Sequence, residues 1–131
     1  MSDRSRPARP TLWQRALHRL TADERTIEAE ELRSQAERAG ATPIERCGDR
    51  EKVCVTGVLR TVTLRPRAGV PALEAELYDG SGSLDLVWLG RRRIAGIEPG
   101  RPVRAVGRVL VSEGRRLIFN PEYELQPMGK E

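Results

Sequence analysis

A chain of 131 residues and 14.7 kDa can bury one core without disulfide staples, and its 38% of hydrophobic residues with only 4% aromatics rests that core on Val, Leu and Ile. The 23 basic and 19 acidic residues leave a charge of +4 and a pI near 9.7, a mild bias that permits a polyanionic partner without demanding one. Cys47 and Cys54, with no neighbouring His or further Cys, cannot complete a four-ligand metal site, and no apolar run approaches the ~20 residues of a spanning helix. Metal, cofactor and membrane classes are therefore set aside, and a cytoplasmic protein with reduced thiols is expected.

Residues 1–10 hold Arg4, Arg6 and Arg9 among Ser and Pro, with too little apolar content to offset the entropy of ordering, and are expected to be a disordered tail. A helical extension and linker is expected over 11–49. Leu12, Trp13, Ala16, Leu17 and Leu20 recur at helical spacing and place one apolar face on a short helix. Thr21-Ala22-Asp23-Glu24 has the pattern of a capping box and predicts the start of a second helix, running to about Ala39 with Gly40 beyond its end. That helix carries only Ile27, Leu32 and Ala36 among charged residues and is expected to be largely exposed. A connector follows, its Thr42-Pro43 step extended and its Ile44 the anchor to the neighbouring domain.

Strand periodicity begins near Arg50, and one domain is expected over 50–126, with 127–131 as a tail. Lys52 to Leu64 is a β-branched run too long for an average strand, and Gly57 within it predicts a bulge or bend. A loop, Arg65-Pro66-Arg67-Ala68-Gly69-Val70-Pro71, separates it from a hairpin whose arms are Ala72 to Tyr78 and Ser83 to Leu89, joined by Asp79-Gly80-Ser81-Gly82. Gly90 to Gly100 is long enough for one or two helical turns. Pro102 to Val111 predicts a fourth strand, Glu113-Gly114 a hairpin turn, and Arg116 to Leu125 a fifth strand whose pairing Pro121 limits.

The order β-β-β-α-β-β is that of a five-stranded OB-fold barrel, an all-β core here preceded by a helical N-terminal extension. The residues Asp79-Gly80-Ser81-Gly82-Ser83-Leu84 with Trp88-Leu89, and Glu98-Pro99-Gly100-Arg101-Pro102-Val103-Arg104-Ala105-Val106-Gly107-Arg108-Val109, resemble the D-G-(S/T)-G hairpin and P-G-x-x-V-x-V-x-G-x-V strand of nucleic-acid-binding OB domains. The similarity is to the wedge domain of RecG-type helicases and to anticodon-binding OB domains. The whole chain also resembles small stand-alone OB-fold proteins of actinobacteria. Helicase-linked families join this barrel to motor domains, whereas only Gln126 to Glu131 follows it here, so a stand-alone binding module is expected.

The resemblance implies a ligand across the second and third strands, flanked by the loop after the first strand and the turn between the fourth and fifth. Those rims carry Arg65 and Arg67, and Arg115 and Arg116, as phosphate contacts. If Leu73, Ala75, Leu77, Leu84, Leu86 and Trp88 point inward, then Glu74, Glu76, Tyr78, Asp85, Val87 and Leu89 point outward. Tyr78 is then the stacking candidate. Trp88 has two readings, base stacking and core filling, and its parity with the leucines favours the core. Arg91, Arg92 and Arg93 are either secondary phosphate contacts or a solvated face. The lone His18 has no nucleophile or paired carboxylate motif around it, and nothing resembles a nucleotide loop or nucleophile elbow, so no enzymatic activity is expected. The expected function is binding of single-stranded DNA or structured RNA with weak sequence selectivity. The alternative is a protein-interaction module docking through its acidic face or its N-terminal helices.

Overall fold

The computed structural model describes residues 12–128, with side chains from Asp23 onward. The tail expected over 1–10 and the side chains of the apolar Leu12 to Leu20 face, His18 among them, lie outside the described residues. One helix, α1 (Leu12–Arg38), takes the place of the two expected. With neither Gly nor Pro between Leu12 and Arg38, nothing breaks the backbone at Thr21, and the capping-box pattern is absorbed into the helix interior. The C-terminus closes as a Schellman motif, Ala41 N donating to Ala36 O and Gly40 N to Glu37 O, both at 3.0 Å. Ala29, Leu32 and Ala36 turn toward the sheet, while Ile27 is exposed.

The described residues form six strands, β1 (Lys52–Leu64), β2 (Ala72–Tyr78), β3 (Ser83–Leu89), β4 (Pro102–Ser112), β5 (Arg115–Phe119) and β6 (Glu122–Leu125). Pairing runs β1-β2-β3-β5-β4, and β4 pairs back onto β1, so five strands close into a ring with the OB topology; β3 and β5 are parallel. β6 pairs with β4 outside that ring. The long first strand serves both sides, Lys52 to Val58 against β4 and Val58 to Leu64 against β2. Gly57 sits at this handover, where a methyl group would collide with the carbonyl oxygen of Tyr78. The bulge itself lies three residues later than expected, at Arg60, which stands unpaired between Leu59↔Leu77 and Thr61↔Glu76. It switches the inward parity from Val53, Val55 and Leu59 to Val62, and turns Thr61 and Thr63 outward.

Two further segments differ from expectation. Gly90 to Arg101 forms no helix; it makes two reverse turns, Ile94 to Ile97 and Glu98 to Arg101, because Gly96 and Pro99-Gly100 interrupt any helical run. The fifth strand splits at Asn120-Pro121, where Asn120 takes a positive φ and donates its N–H to Val87 O at 2.6 Å, and β6 resumes beyond it on an earlier stretch of β4, Val103 to Val106.

Inward residues of β1 to β5 form the core: Val55, Leu59, Leu77, Leu84, Leu86, Val103 and Ile118 are essentially inaccessible. Trp88 belongs to it, as its parity requires, and meets the Tyr123 ring edge-on at 5.5 Å. Ile94 and Ile97 from the connector complete the packing, as does Ile44 from the linker, here in a 3-10 turn (Ile44–Arg46). Burying Ile44 completely contributes about 1.5–3 kcal/mol, so the linker is part of the folded unit.

Polar bonds lock the same junction. Asp79, 1% exposed at the hairpin turn, accepts from Ser81 N at 2.9 Å, Ser81 Oγ at 2.7 Å and Gly82 N at 3.1 Å through Oδ1, and from Ile44 N at 2.9 Å through Oδ2. Ser81 Oγ accepts from Glu45 N at 3.2 Å, and Arg33 on α1 donates to Gly80 O at 3.2 Å. The hairpin turn is thus the seat on which linker and helix dock.

Candidate nucleic-acid interface

The outward face of β1's second half, β2, β3 and β5 forms a groove between the β1–β2 loop and the β4–β5 turn. The loop is held to β2 by Arg65 N donating to Ala72 O and closed on itself by the mutual backbone bonds of Arg67 and Val70. The turn, Glu113-Gly114, has both residues at positive φ, the geometry of a two-residue hairpin. Thr61, Thr63, Glu74, Glu76, Asp85 and Leu117 floor the groove, while Arg65, Arg67 and Arg115 overhang it and Glu113 borders it.

Each overhanging arginine is matched to a floor carboxylate. Arg67 Nε donates to Glu74 Oε2 at 2.8 Å, with Arg65 Nε 4.0 Å from Glu74 Oε1. Arg115 donates through Nε at 3.1 Å and Nη2 at 2.7 Å to Asp85 Oδ2. That bond and charge hold the Arg115 guanidinium above its ordinary pKa, and Glu76 and Glu74 add to the effect, which marks the field over the floor as negative. Glu76 stands directly across from Asp85 in the β2–β3 register and forms neither a hydrogen bond nor an ion pair among the described residues. Like charges directly opposed on a sheet are unfavourable, and Arg115 hydrogen-bonds only Asp85, acting on Glu76 through its charge alone.

Each end of the face carries a guanidinium on an aromatic ring. Arg60, projected by the bulge, lies 4.1 Å from the centre of the Tyr78 ring and 3.8 Å from Glu28 Oε1 of α1. Arg67 lies 5.5 Å from the centre of the Phe119 ring, and Phe119 packs on a small outer cluster of Ala72, Val87 and Leu117. That cluster is why Val87, outward by parity, is inaccessible.

The structure therefore brings Arg65, Arg67 and Arg115 into one groove and places Tyr78 at its end under Arg60. Arg116 has the opposite parity and reaches back to the linker, donating to Cys47 O at 3.0 Å and Glu45 O at 2.9 Å. Arg91, Arg92 and Arg93 are exposed on the connector, which starts beside the β1–β2 loop through Gly90 N donating to Pro71 O at 2.7 Å, and they do not line the groove. Sequence reasoning missed Arg60 and Phe119 as an outward residue; it placed Glu76 outward but not which of the carboxylates an arginine would pair. The signal for Arg60 was present: the inward parity of β1 changes between Leu59 and Val62, which requires an extra residue between them.

Of the described helices none is long and apolar enough to cross a membrane. No family model matches the chain and no curated protein matches it in sequence. Solved structures match by fold. One is the structure of RecG bound to a three-way DNA junction, with a TM-score of 0.51 and 24% identity over 60% of this chain and 11% of that one. Another is the crystal structure of the p204 HINb domain, with a TM-score of 0.54 and 19% identity over 69% of this chain and 49% of that one. This chain spans about half the length of the second and a small part of the first. At these identities the likeness establishes a shared OB fold.

Proposed function

We propose that this is a non-enzymatic, cytoplasmic OB-fold module that binds single-stranded nucleic acid, DNA or RNA, across the outward face of β2 and β3. The observation that carries the proposal is the convergence of Arg65, Arg67 and Arg115 on one open groove, on a sheet face that also holds the Arg60–Tyr78 and Arg67–Phe119 contacts. Phosphates would run along the overhanging guanidiniums and bases would turn toward the floor. The solved structure of RecG on a DNA junction supports this class of partner through the shared fold. Because the arginines start paired with Glu74 and Asp85, part of each phosphate contact goes into releasing a carboxylate, so affinity is modest.

Fluorescence anisotropy with labelled single-stranded DNA and RNA tests this. Three phosphate contacts predict a log–log salt slope of roughly −2 for a single strand. Reversing Arg65 and Arg115 together to Glu should abolish binding at low salt, with thermal melting reporting the fold. Absence of binding by the wild type at low salt would refute the proposal. One observation favours a second reading: four carboxylates against three arginines around the groove suit a basic segment of a protein partner. A lysine-rich peptide bound more tightly than any oligonucleotide would decide for it.

A further inference from the structure

Resting on that nucleic-acid reading, we infer that the groove selects guanine within a short single strand, with Glu76 as the specificity-determining residue and the guanidinium planes of Arg60 and Arg67 as stacking platforms. A guanidinium resting on a ring has one face occupied and one free. Arg60, 4.1 Å over the Tyr78 ring, keeps 45% of its side chain exposed and Arg67, 5.5 Å over Phe119, keeps 37%, so each leaves surface for a base, with the Nη edge of Arg67 still serving a phosphate. They sit at the levels of Tyr78 and Glu74, four residues apart on β2, or about 14 Å along the strand. Glu76 lies midway between these levels on the same face.

The chemistry at that midpoint is one-sided. An ionised carboxylate only accepts hydrogen bonds. Glu74 and Asp85 are satisfied by arginines, whereas Glu76 has no hydrogen-bond or ion-pair partner among the described residues and faces the Asp85 charge. A ligand edge made of donors would satisfy it, and an edge carrying carbonyl oxygens would be repelled. Guanine presents adjacent N1–H and N2–H₂ donors that fit one carboxylate. Thymine and uracil set a single N–H between two carbonyls, and adenine and cytosine offer one amino group beside an acceptor. Guanine is therefore preferred, and thymine or uracil is bound least.

The test compares two labelled DNA hexamers on the same protein at low salt, one all thymidine and one with its two central positions replaced by guanine. Equal phosphate counts cancel the backbone contribution. Wild type should bind the guanine hexamer about tenfold more tightly. Glu76→Gln, whose amide no longer matches two donors, should bring the ratio to about twofold or less. Arg60→Lys keeps the charge and removes the plane, and should weaken both hexamers about fivefold without changing their ratio. A ratio near one in the wild type, or a ratio untouched by Glu76→Gln, overturns the guanine inference while leaving the nucleic-acid reading in place. Binding of neither hexamer overturns both. Since each ratio is measured within one protein, a folding defect cannot imitate the expected result.

Discussion

Replacing Asp79 by Asn leaves the side-chain shape almost unchanged and alters one atom, which makes it a sharp probe of how the N-terminal segment is held. Oδ1 can still accept from Ser81 N, Ser81 Oγ and Gly82 N, but the amide nitrogen then faces the Ile44 N–H, donor against donor, where the carboxylate now accepts at 2.9 Å. Flipping the amide is worse, since it turns the nitrogen toward three donors. A lost hydrogen bond to a charged group, with a buried N–H left unpaired, costs about 2–3 kcal/mol. For a domain of this size that corresponds to a fall in melting temperature of roughly 8–12 °C. Local exchange is more specific than global melting: the Ile44 amide, protected in the wild type, should exchange faster in the variant than amides of the β1–β4 ladder. Unchanged protection at Ile44, or a melting temperature within about 1 °C of wild type, would refute the claim that this carboxylate fastens the linker to the hairpin.

Four other outcomes follow from contacts elsewhere in the domain. Gly80→Ala places a methyl against the Ala29 carbonyl oxygen of α1 at a residue with φ of 90°, and should cost about 1–3 kcal/mol while loosening the last turns of α1, read by exchange at Leu32 to Ala36. Glu76→Gln removes one of two opposed carboxylates and should raise stability by about 0.2–1 kcal/mol; a lower denaturation midpoint would contradict the unpaired placement of Glu76. Burial, with the Glu51 charge next in weight, pushes the Cys47 thiol to about 11, so a thiol reagent at pH 8 should modify Cys54 and spare Cys47 until unfolding. Because the folded protein holds the Cys47 proton more tightly than the unfolded chain does, stability should decline as pH rises from about 9 toward 11.

The strands were legible because each is written as alternation. Ser83 to Leu89 shows its inward Leu84, Leu86 and Trp88 directly, and β1, β2 and β3 occupy the predicted residues. What failed were judgements resting on single signals. A capping-box pattern at Thr21 was overridden by an unbroken run of helix formers, and one apolar pair, Ile94 and Ile97, was too little to hold a helix between Gly90 and Pro99. Asp79 was read as a turn residue, which it is, yet its second oxygen serves a backbone N–H 35 positions earlier, and no local pattern encodes that. The groove was half visible. Outward parity correctly exposed Glu74, Glu76 and Asp85 as an acidic strip among rim arginines, but not their resolution into pairs, because Arg115 meets Asp85 across 30 residues and only the closed ring brings them together. Arg116, its neighbour in sequence, turns away to the linker for the same reason that any two consecutive strand residues part.

The central claim, that the outward face of β2 and β3 is where nucleic acid binds, is tested most directly by mapping amide chemical shifts during titration with a single-stranded oligonucleotide at low salt. Perturbations should concentrate on Arg60 to Arg67, Glu74 to Tyr78, Asp85 and Glu113 to Leu117 and fade as salt is added. Perturbations confined to α1 or to Arg91, Arg92 and Arg93, with the groove silent, would contradict it.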